Sequence, residues 1–203
     1  NPSLVGSEMC IRDRLKTEGI SSRIDHLKNL KRLINKRESK IIEALSADLG
    51  KPSFESYTSE ILMVQKELDL FIKNLKSWAA PKRVSGSLLN FPSKDYILYE
   101  PYGKVLMISP WNYPFQLALI PLIGAVATGN TVVLKPSESA PHTTKIIAEL
   151  LSEIFPKNWV QVIEGDAEIA QALLKLQWDY IFFTGSTTVG TVSYTHLTLP
   201  TTD

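Results

Sequence analysis

Cysteine is almost absent from this sequence of 203 residues, in which Cys10 is the only one. A single thiol excludes an internal disulfide and a metal cluster built from several cysteines. The sequence also has no large excess of positive or negative charge, because 22 basic and 21 acidic residues leave a net charge of +1. This balance gives no basic surface for nucleic acid or anionic lipid. With no apolar signal-peptide core near its start, the sequence indicates a soluble, cytoplasmic protein with no nucleic-acid partner.

Charged residues are also missing from one long stretch, residues 105–134. A membrane-spanning helix needs about 20 mostly apolar residues without conflicting breaks. Here prolines, glycines and side-chain amides interrupt the stretch, and they are costly at membrane depth. The interruptions are Pro110, Asn112, Pro114, Gln116, Pro121, Gly124, Gly129 and Asn130. We therefore favour a buried strand–helix–strand unit, and the alternative is a membrane protein that needs detergent for extraction.

Two amphipathic helical regions precede that stretch. Apolar spacing predicts one helix over residues 20–50, ended by Gly50, and a second over 56–79. The second helix repeats apolar residues at steps of three and four, which favours a helical hairpin. These residues are Ile61, Val64, Leu68, Phe71, Leu75 and Trp78. Residues 81–95 have no period and predict a connecting loop, followed by a short strand over 96–99.

The rest of the chain alternates between strand and helix patterns. Apolar runs predict strands over 104–109, 131–134, 160–163 and 180–183, with helices over 114–128, 143–154 and 167–176 between them. This alternation predicts an α/β fold with an open, doubly wound, Rossmann-like parallel sheet behind the helical hairpin. Such sheets bind ligands beyond the carboxyl ends of their strands. The polar motifs of the chain follow those ends.

Asn112 follows the first strand of the predicted sheet. A side-chain amide held there can donate to a developing oxyanion. It can equally cap the helix that begins at Pro114. Spacing alone favours the cap.

Lys135 and Glu138 follow the second strand, three residues apart. One is a donor and the other an acceptor, so together they can bind two adjacent hydroxyls of a ribose. An exposed charged turn is the equal alternative.

A loop with two outer glycines follows the fourth strand. Its hydroxyls and amide groups at a predicted helix start suit a pyrophosphate. The candidate residues are Gly185, Ser186, Thr187, Val189 and Gly190. The middle glycine of a G-x-G-x-x-G fingerprint is missing, and Thr191 and Val192 stand where a P-loop needs lysine and serine or threonine. His26, His142 and His196 have no metal-ligand spacing and no clear partner, and Cys10 has no activating neighbourhood.

Three strings carry a resemblance when taken in order: Ile-Ser-Pro-Trp-Asn-Tyr-Pro at 108–114, Gly-Asn-Thr-Val-Val-Leu-Lys-Pro-Ser-Glu at 129–138, and Phe-Thr-Gly-Ser-Thr-Thr-Val-Gly at 183–190. Over about residues 17–190 the chain resembles the aldehyde dehydrogenase superfamily. The forms of the first two strings are most similar to its class 3 branch, which handles fatty and aromatic aldehydes.

The resemblance implies oxidation of an aldehyde to a carboxylic acid by a cysteine nucleophile, with NAD or NADP as the hydride acceptor and no metal. It also implies a homodimer when the protein is full length. Asn112 matches the oxyanion-stabilising asparagine, and Lys135 and Glu138 match the positions that hold the adenosine ribose. The cofactor cleft is matched by Ile108, Ser109, Pro110 and Trp111, and the pyrophosphate loop by Gly185, Ser186, Thr187, Val189 and Gly190.

The chain also departs from the family pattern. The nucleophilic cysteine and the Glu-Leu-Gly-Gly motif belong downstream of the 185–190 loop, and this chain holds neither. We therefore expect no dehydrogenase activity from these residues alone. Residues 1–14 and 191–203 look like non-native read-through, which leaves a helical lead-in at 15–95, a partial dinucleotide-binding domain at 96–190 and no catalytic domain. The alternative is a non-catalytic nucleotide-binding or dimerisation module, and gene sequence beyond residue 190 discriminates between the two.

Overall fold

The computed structural model of the chain describes residues 19–86, 92 and 94–185. Helices form the first part: α1 (Ile20–Lys36), α2 (Glu38–Leu49), the short α3 (Ser53–Glu55), a π-helical segment (Ser56–Ile61) and α4 (Leu62–Trp78). A two-stranded ribbon follows, made of β1 (Lys82–Val84) and β2 (Asp95–Ile97). The remainder alternates: β3 (Lys104–Ile108), α5 (Pro114–Ala127), β4 (Thr131–Lys135), α6 (Pro141–Ile154), β5 (Val160–Val162), α7 (Ala167–Leu174) and β6 (Tyr180–Phe183).

The first helical region is broken once, so the prediction of a single helix over 20–50 was wrong at Arg37. This residue has φ −107° and ψ 16°, outside the helical region. Its guanidinium donates to Glu149 and Glu153 of α6. The break lets α1 pack against α4 while α2 turns to pack against α6. Gly50, with φ 65°, ends α2 as predicted, because glycine adopts this left-handed conformation without a steric penalty.

Helices α1 and α4 form the predicted hairpin. Asn35 accepts from Gln65 at 2.8 Å, and Lys31 donates to Asp69 at 2.5 Å, so residue numbers rise on α1 as they fall on α4. The two helices are therefore antiparallel. The apolar stripe ends sooner than predicted, because Trp78 is 44% exposed.

The ribbon of β1 and β2 corrects the prediction that residues 81–95 are entirely loop. The strands pair in antiparallel register, with Arg83 opposite Tyr96. All residues of β1 are exposed, so its sequence has no buried face and no apolar alternation to mark it as a strand. The second strand lies within one or two residues of its predicted position.

The four-stranded sheet confirms the predicted fold class. All its pairs are parallel, and the strand order is β5–β4–β3–β6. The chain moves outward from β3 through β4 to β5 and then returns to the other side of β3. This reversal between β3 and β6 is the switch point at which open α/β sheets bind ligands.

Helices cover both faces of the sheet. Val105 and Met107 of β3 belong to the main core with α5 and α6, whereas Leu106 and Ile108 pack with Leu173 and Leu174 of α7. The helices α1 and α4 lie outside α5, which is why its sequence is apolar on nearly every side. Across the described ranges, no helix combines the length and the apolar character that crossing a bilayer requires.

Candidate functional site

The carboxyl ends of β3, β4 and β6 lie side by side. Ile108 is opposite both Lys135 and Phe183 in the sheet register. Ser109 N donates to the Lys135 carbonyl at 3.2 Å, and Thr184 N donates to the Ile108 carbonyl at 3.1 Å. The sheet thus brings Ile108, Ser109, Lys135 and Gly185 to one edge, as the sequence predicted. Ser186, Thr187, Val189 and Gly190 lie outside the described residues, as do Cys10 and His196.

Lys135 and Glu138 form a pair at this edge. Lys135 is only 3% exposed, and its Nζ donates to Glu138 Oε2 at 2.6 Å. That hydrogen bond lowers the pKa of the Glu138 carboxyl below its ordinary value. The exposed-turn alternative is therefore wrong for Lys135, whose buried ammonium holds a half-exposed carboxylate in its ionised form. Such a carboxylate can accept hydrogen bonds from ligand hydroxyls.

Ser109, whose amide group donates to the Lys135 carbonyl, carries a buried hydroxyl. The residue is 6% exposed, and no hydrogen-bond partner for its Oγ exists among the described residues. A buried polar atom without a partner costs about 1–3 kcal/mol. A polar ligand at the strand ends can remove this cost. Trp111, two residues further on, is 56% exposed and offers a flat ring beside the same edge.

Asn112 does not cap the helix that follows it, so the interpretation that spacing alone favoured was wrong. Helix α5 has Tyr113 at its N-cap position and no cap from that side chain. The amide groups of Phe115 and Gln116 instead donate to Glu60 Oε2, at 2.8 and 3.1 Å. Asn112 is exposed, and its side chain makes no hydrogen bond to any described residue. Its amide group is thus available to a ligand.

Lys51 and Glu60 were missed by the sequence analysis. Glu60 is completely buried, and its Oε1 accepts from Lys51 Nζ at 2.5 Å. Lys51 Nζ also donates to the Asn112 carbonyl at 2.9 Å and lies 4.0 Å from the ring centroid of Tyr113. One signal was present in the sequence: Glu60 precedes Val64 by one helical turn, so a charge stands on the apolar face of the helix.

The start of α6 is capped in the same way, by Asp48 of α2. Its carboxylate accepts from His142 N at 3.1 Å, His142 Nδ1 at 2.8 Å and Thr143 N at 2.7 Å. Burial opposes the charge of Asp48, but these hydrogen bonds outweigh it and lower the pKa of the carboxyl. His142 therefore has a partner, contrary to the sequence analysis. His26 packs against Phe155 and Trp159.

Gly185 stands where a side chain would not fit. A Cβ atom at this position would lie 2.5 Å from Cζ of Phe183. The ring of Phe183 thus disfavours any larger residue than glycine at this position. Within the ranges that the structure covers, no group of three His, Cys, Asp or Glu side chains is arranged to hold a metal ion.

A cavity of about 550 Å³ lies at the opposite, amino end of the strands. It is lined by Phe71 and Trp78 of α4, by Tyr99 and Tyr102 before β3, and by Asn130 before β4, among others. None of the predicted site residues lines it. The carboxyl edge and this cavity are therefore separate features of the molecule.

Comparison with known proteins identifies close relatives. The model of the aldehyde dehydrogenase family matches residues 13–198. The 4,4'-diaponeurosporen-aldehyde dehydrogenase of Staphylococcus aureus is 48% identical over 179 residues, which are 88% of this chain and 39% of that protein. Aldehyde dehydrogenase family 3 member B3 of Mus musculus is 44% identical over 187 residues, 90% of this chain and 39% of that protein. The chain thus spans 39% of the length of each of these relatives.

Solved structures give the same result. The substrate-bound state of Staphylococcus aureus AldH superimposes with a TM-score of 0.90 at 44% identity, covering 95% of this chain and 43% of that one. The indole-3-acetaldehyde dehydrogenase AldA of P. syringae, in complex with NAD+ and IAA, gives a TM-score of 0.82 at 25% identity over 94% of this chain and 39% of that one.

Proposed function

Because the chain belongs to the aldehyde dehydrogenase family, we propose that it forms the amino-terminal, cofactor-binding part of an NAD(P)-dependent enzyme that oxidises aldehydes to carboxylic acids. In this proposal, residues 15–95 are a helical lead-in that packs on a partial dinucleotide-binding domain at 96–190. The proposed location of the enzyme is the cytoplasm. The observation that carries the proposal is the buried Ser109 hydroxyl, which lacks a partner among the described residues and belongs to a residue whose amide group donates to the carbonyl of Lys135, the partner of Glu138.

The adenosine ribose is assigned to Lys135 and Glu138. The Glu138 carboxylate would accept from the ribose hydroxyls while the buried Lys135 ammonium keeps it ionised and oriented. Ile108, Ser109, Pro110 and Trp111 would line the cleft beside it. The same negative charge disfavours a phosphate on the ribose, so the site fits NAD better than NADP. The donors and acceptors present fit the dinucleotide, which would supply the acceptor for the hydride of the aldehyde.

We assign the pyrophosphate to Gly185, Ser186, Thr187, Val189 and Gly190, because carboxylates already occupy the starts of the three helices that follow β3, β4 and β5. Helix N-termini attract anions. However, Glu60 occupies the start of α5, Asp48 that of α6 and Asp166 that of α7. A second anion there would meet a carboxylate. The sequence after β6, which is the remaining strand of the described sheet, holds glycine and hydroxyl residues.

We assign to Asn112 the role of hydrogen-bond donor to the oxyanion. Its side-chain amide is exposed at the end of β3 and is free of hydrogen bonds to the described residues. An amide aimed at the developing alkoxide of an attacked aldehyde stabilises the transition state by about 3–4 kcal/mol. The thiol nucleophile of the family has no counterpart here, because Cys10 is the only cysteine of the chain and precedes the strings that carry the resemblance. We therefore expect the 203-residue chain to bind the cofactor without oxidising aldehydes.

Cofactor binding is tested by titrating the chain with NAD+ in a calorimeter. The Glu138→Gln substitution is expected to weaken NAD+ binding about tenfold or more, because a hydrogen bond to a charged group contributes about 1.5–3 kcal/mol. Glu43→Gln is the matched control, since Glu43 is an exposed carboxylate of α2. Equal affinities of the Glu138→Gln chain and the unsubstituted chain would contradict the ribose assignment.

We also propose that the longer enzyme forms a homodimer through the ribbon of β1 and β2. The ribbon exposes Tyr96 and Ile97, with exposed fractions of 51% and 46%, and Tyr99 just after it is 67% exposed. A two-stranded ribbon is marginally stable by itself, so additional strand pairing would stabilise it. Light scattering of the Ile97→Lys variant tests this, with a shift from dimer to monomer as the expected result.

A further inference from the structure

The segment that carries Asn112 has little burial of its own. Trp111, Asn112 and Tyr113 are all exposed where the chain leaves β3 and enters α5. An oxyanion donor must stand in a fixed place before the reaction, because its contribution depends on preorganised geometry. Contacts from elsewhere in the fold must therefore hold this segment.

Lys51 supplies two of these contacts. Its side chain is 10% exposed, and it reaches the segment from the loop between α2 and α3. Nζ donates to the Asn112 carbonyl at 2.9 Å and lies over the Tyr113 ring at 4.0 Å from the centroid. The ammonium thus contacts two consecutive residues of the segment.

Glu60 connects Lys51 to the helix that follows. One carboxylate oxygen accepts from Lys51 Nζ, and the other accepts from Phe115 N and Gln116 N. The π-helical segment Ser56–Ile61 carries Glu60 into this buried position, and π-helical turns occur frequently at functional sites. Lys51 and Glu60 therefore hold the segment on both sides of Pro114.

The contacts of Lys51 and Glu60 also determine which polar groups of Asn112 remain available to a ligand. An asparagine next to a helix start commonly caps that helix with its own side chain. Here the carboxylate of Glu60 occupies the amide groups of α5, so the side chain of Asn112 is not used as a cap. We propose that Lys51 and Glu60 are positioning residues, which hold the Asn112 backbone and leave its side-chain amide directed to the substrate. This inference rests on the proposed function, because the role of Asn112 as oxyanion donor is part of it.

The test is nuclear magnetic resonance of the 203-residue chain labelled with ¹⁵N. Lys51→Met is expected to broaden or split the side-chain amide signal of Asn112, because the backbone carbonyl loses its donor. Lys51→Arg, which keeps the charge and the donor, is expected to restore a single sharp signal. Lys31→Met is the matched control, since Lys31 also contacts a carboxylate at 2.5 Å but lies on the hairpin of α1 and α4.

A second variant separates the positioning of Asn112 from the capping of α5. It also keeps the test usable if the Lys51→Met chain does not fold because Glu60 is left buried without its partner. The double variant Lys51→Met with Glu60→Gln leaves no buried charge and keeps an oxygen for Phe115 N and Gln116 N. We expect the exchange of these two amide protons to stay within about tenfold of the unsubstituted chain, while the Asn112 signal still broadens. An Asn112 signal that is unchanged in both Lys51→Met variants would overturn the inference.

Titration of the same samples with NAD+ distinguishes this inference from the proposed function. If the unsubstituted chain binds NAD+ and the Asn112 signal does not change in the Lys51 variants, the positioning inference is wrong and the proposed function is not affected. If Asn112 responds to Lys51 and the chain does not bind NAD+, the proposed function fails, and the catalytic meaning of the positioning fails with it.

Discussion

At the residue scale, three carboxylates neutralise three helix starts. Asp166 caps its own helix α7, but Asp48 and Glu60 reach α6 and α5 from the helical layer. A local pattern predicts the first kind of cap, because the capping residue adjoins its helix. It cannot predict the second kind, since Glu60 and Phe115 are 55 positions apart. For this reason, spacing alone favoured Asn112 as the cap of α5.

The Asp48 cap predicts an acid-dependent stability. Because the pKa of Asp48 is lowered on folding, its ionised form stabilises the protein above the ordinary aspartate pKa of about 3.9. This contribution is lost as the pH falls through the lower folded value. We expect Asp48→Asn to reduce the free energy of unfolding by about 1–2 kcal/mol at neutral pH, and by less in acid. Urea unfolding at several pH values measures this. A difference that does not change between neutral pH and about pH 3 would contradict it.

We expect the Ser109→Ala substitution to have different effects on the free energy of unfolding and on the affinity for NAD+. Removing a buried hydroxyl without a protein partner should leave the free energy of unfolding unchanged or raise it by about 1 kcal/mol. The affinity for NAD+ should fall about two- to tenfold, because the ligand loses a hydrogen bond. Ser56→Ala is the control, since the Ser56 hydroxyl is also buried without a partner in the described structure but lies in the π-helical segment. A Ser109→Ala chain that is destabilised and binds NAD+ normally would refute the assignment.

At the scale of elements, buried strands were predictable and exposed or bent elements were not. The strands of the sheet are short apolar runs, and their predicted limits are within one or two residues of those observed. β1 was missed because it is exposed throughout, and the break at Arg37 was missed because it serves contacts with α6. Burial leaves a pattern in the sequence, whereas tertiary contacts made by single residues do not.

The junction of β3 and β6 depends on Gly103. With φ 125°, this residue has a conformation that side chains disfavour, and a Cβ atom would lie 2.3 Å from Asp179 Oδ2. That carboxylate accepts from Lys104 N at 2.6 Å. We expect Gly103→Ala to lower the free energy of unfolding by about 2 kcal/mol or more.

Gly124→Ala is the matched control for this substitution. Gly124 lies inside α5, where a Cβ atom meets only Phe71 Cζ at an ordinary 3.7 Å. Alanine in a helix interior is more stable than glycine by about 1 kcal/mol. Thermal unfolding should therefore move in opposite directions for the two variants. A Gly103→Ala chain as stable as the unsubstituted one would show that the close approach to Asp179 is not required.

At the scale of the whole molecule, the part of the sheet that the structure describes ends in strands that pair on one side only. β6 is one of the two outer strands of the described sheet and pairs with β3. Tyr180 on this strand is 44% exposed. An exposed apolar edge strand is a site for association with another chain. We expect the isolated chain to self-associate as its concentration is raised, which a sample that stays monodisperse would contradict.

A charge on that edge should reduce the association. Tyr180→Lys places a charge on the edge strand, which opposes strand pairing between chains. Leu70→Lys is the control, because Leu70 is 46% exposed on α4, away from the edge. Sedimentation should show a larger monomer fraction for Tyr180→Lys and no change for Leu70→Lys. Equal monomer fractions would show that association uses another surface.

The central claim is that the carboxyl edge of the sheet binds a dinucleotide, and chemical-shift mapping of the ¹⁵N-labelled chain during an NAD+ titration tests it most directly. We predict saturable shifts at Ser109, Lys135, Glu138 and the Trp111 indole, with none at Lys31 and Glu43. Shifts confined to the cavity of Phe71 and Trp78 at the other end of the strands, or no shifts at all, would contradict the account.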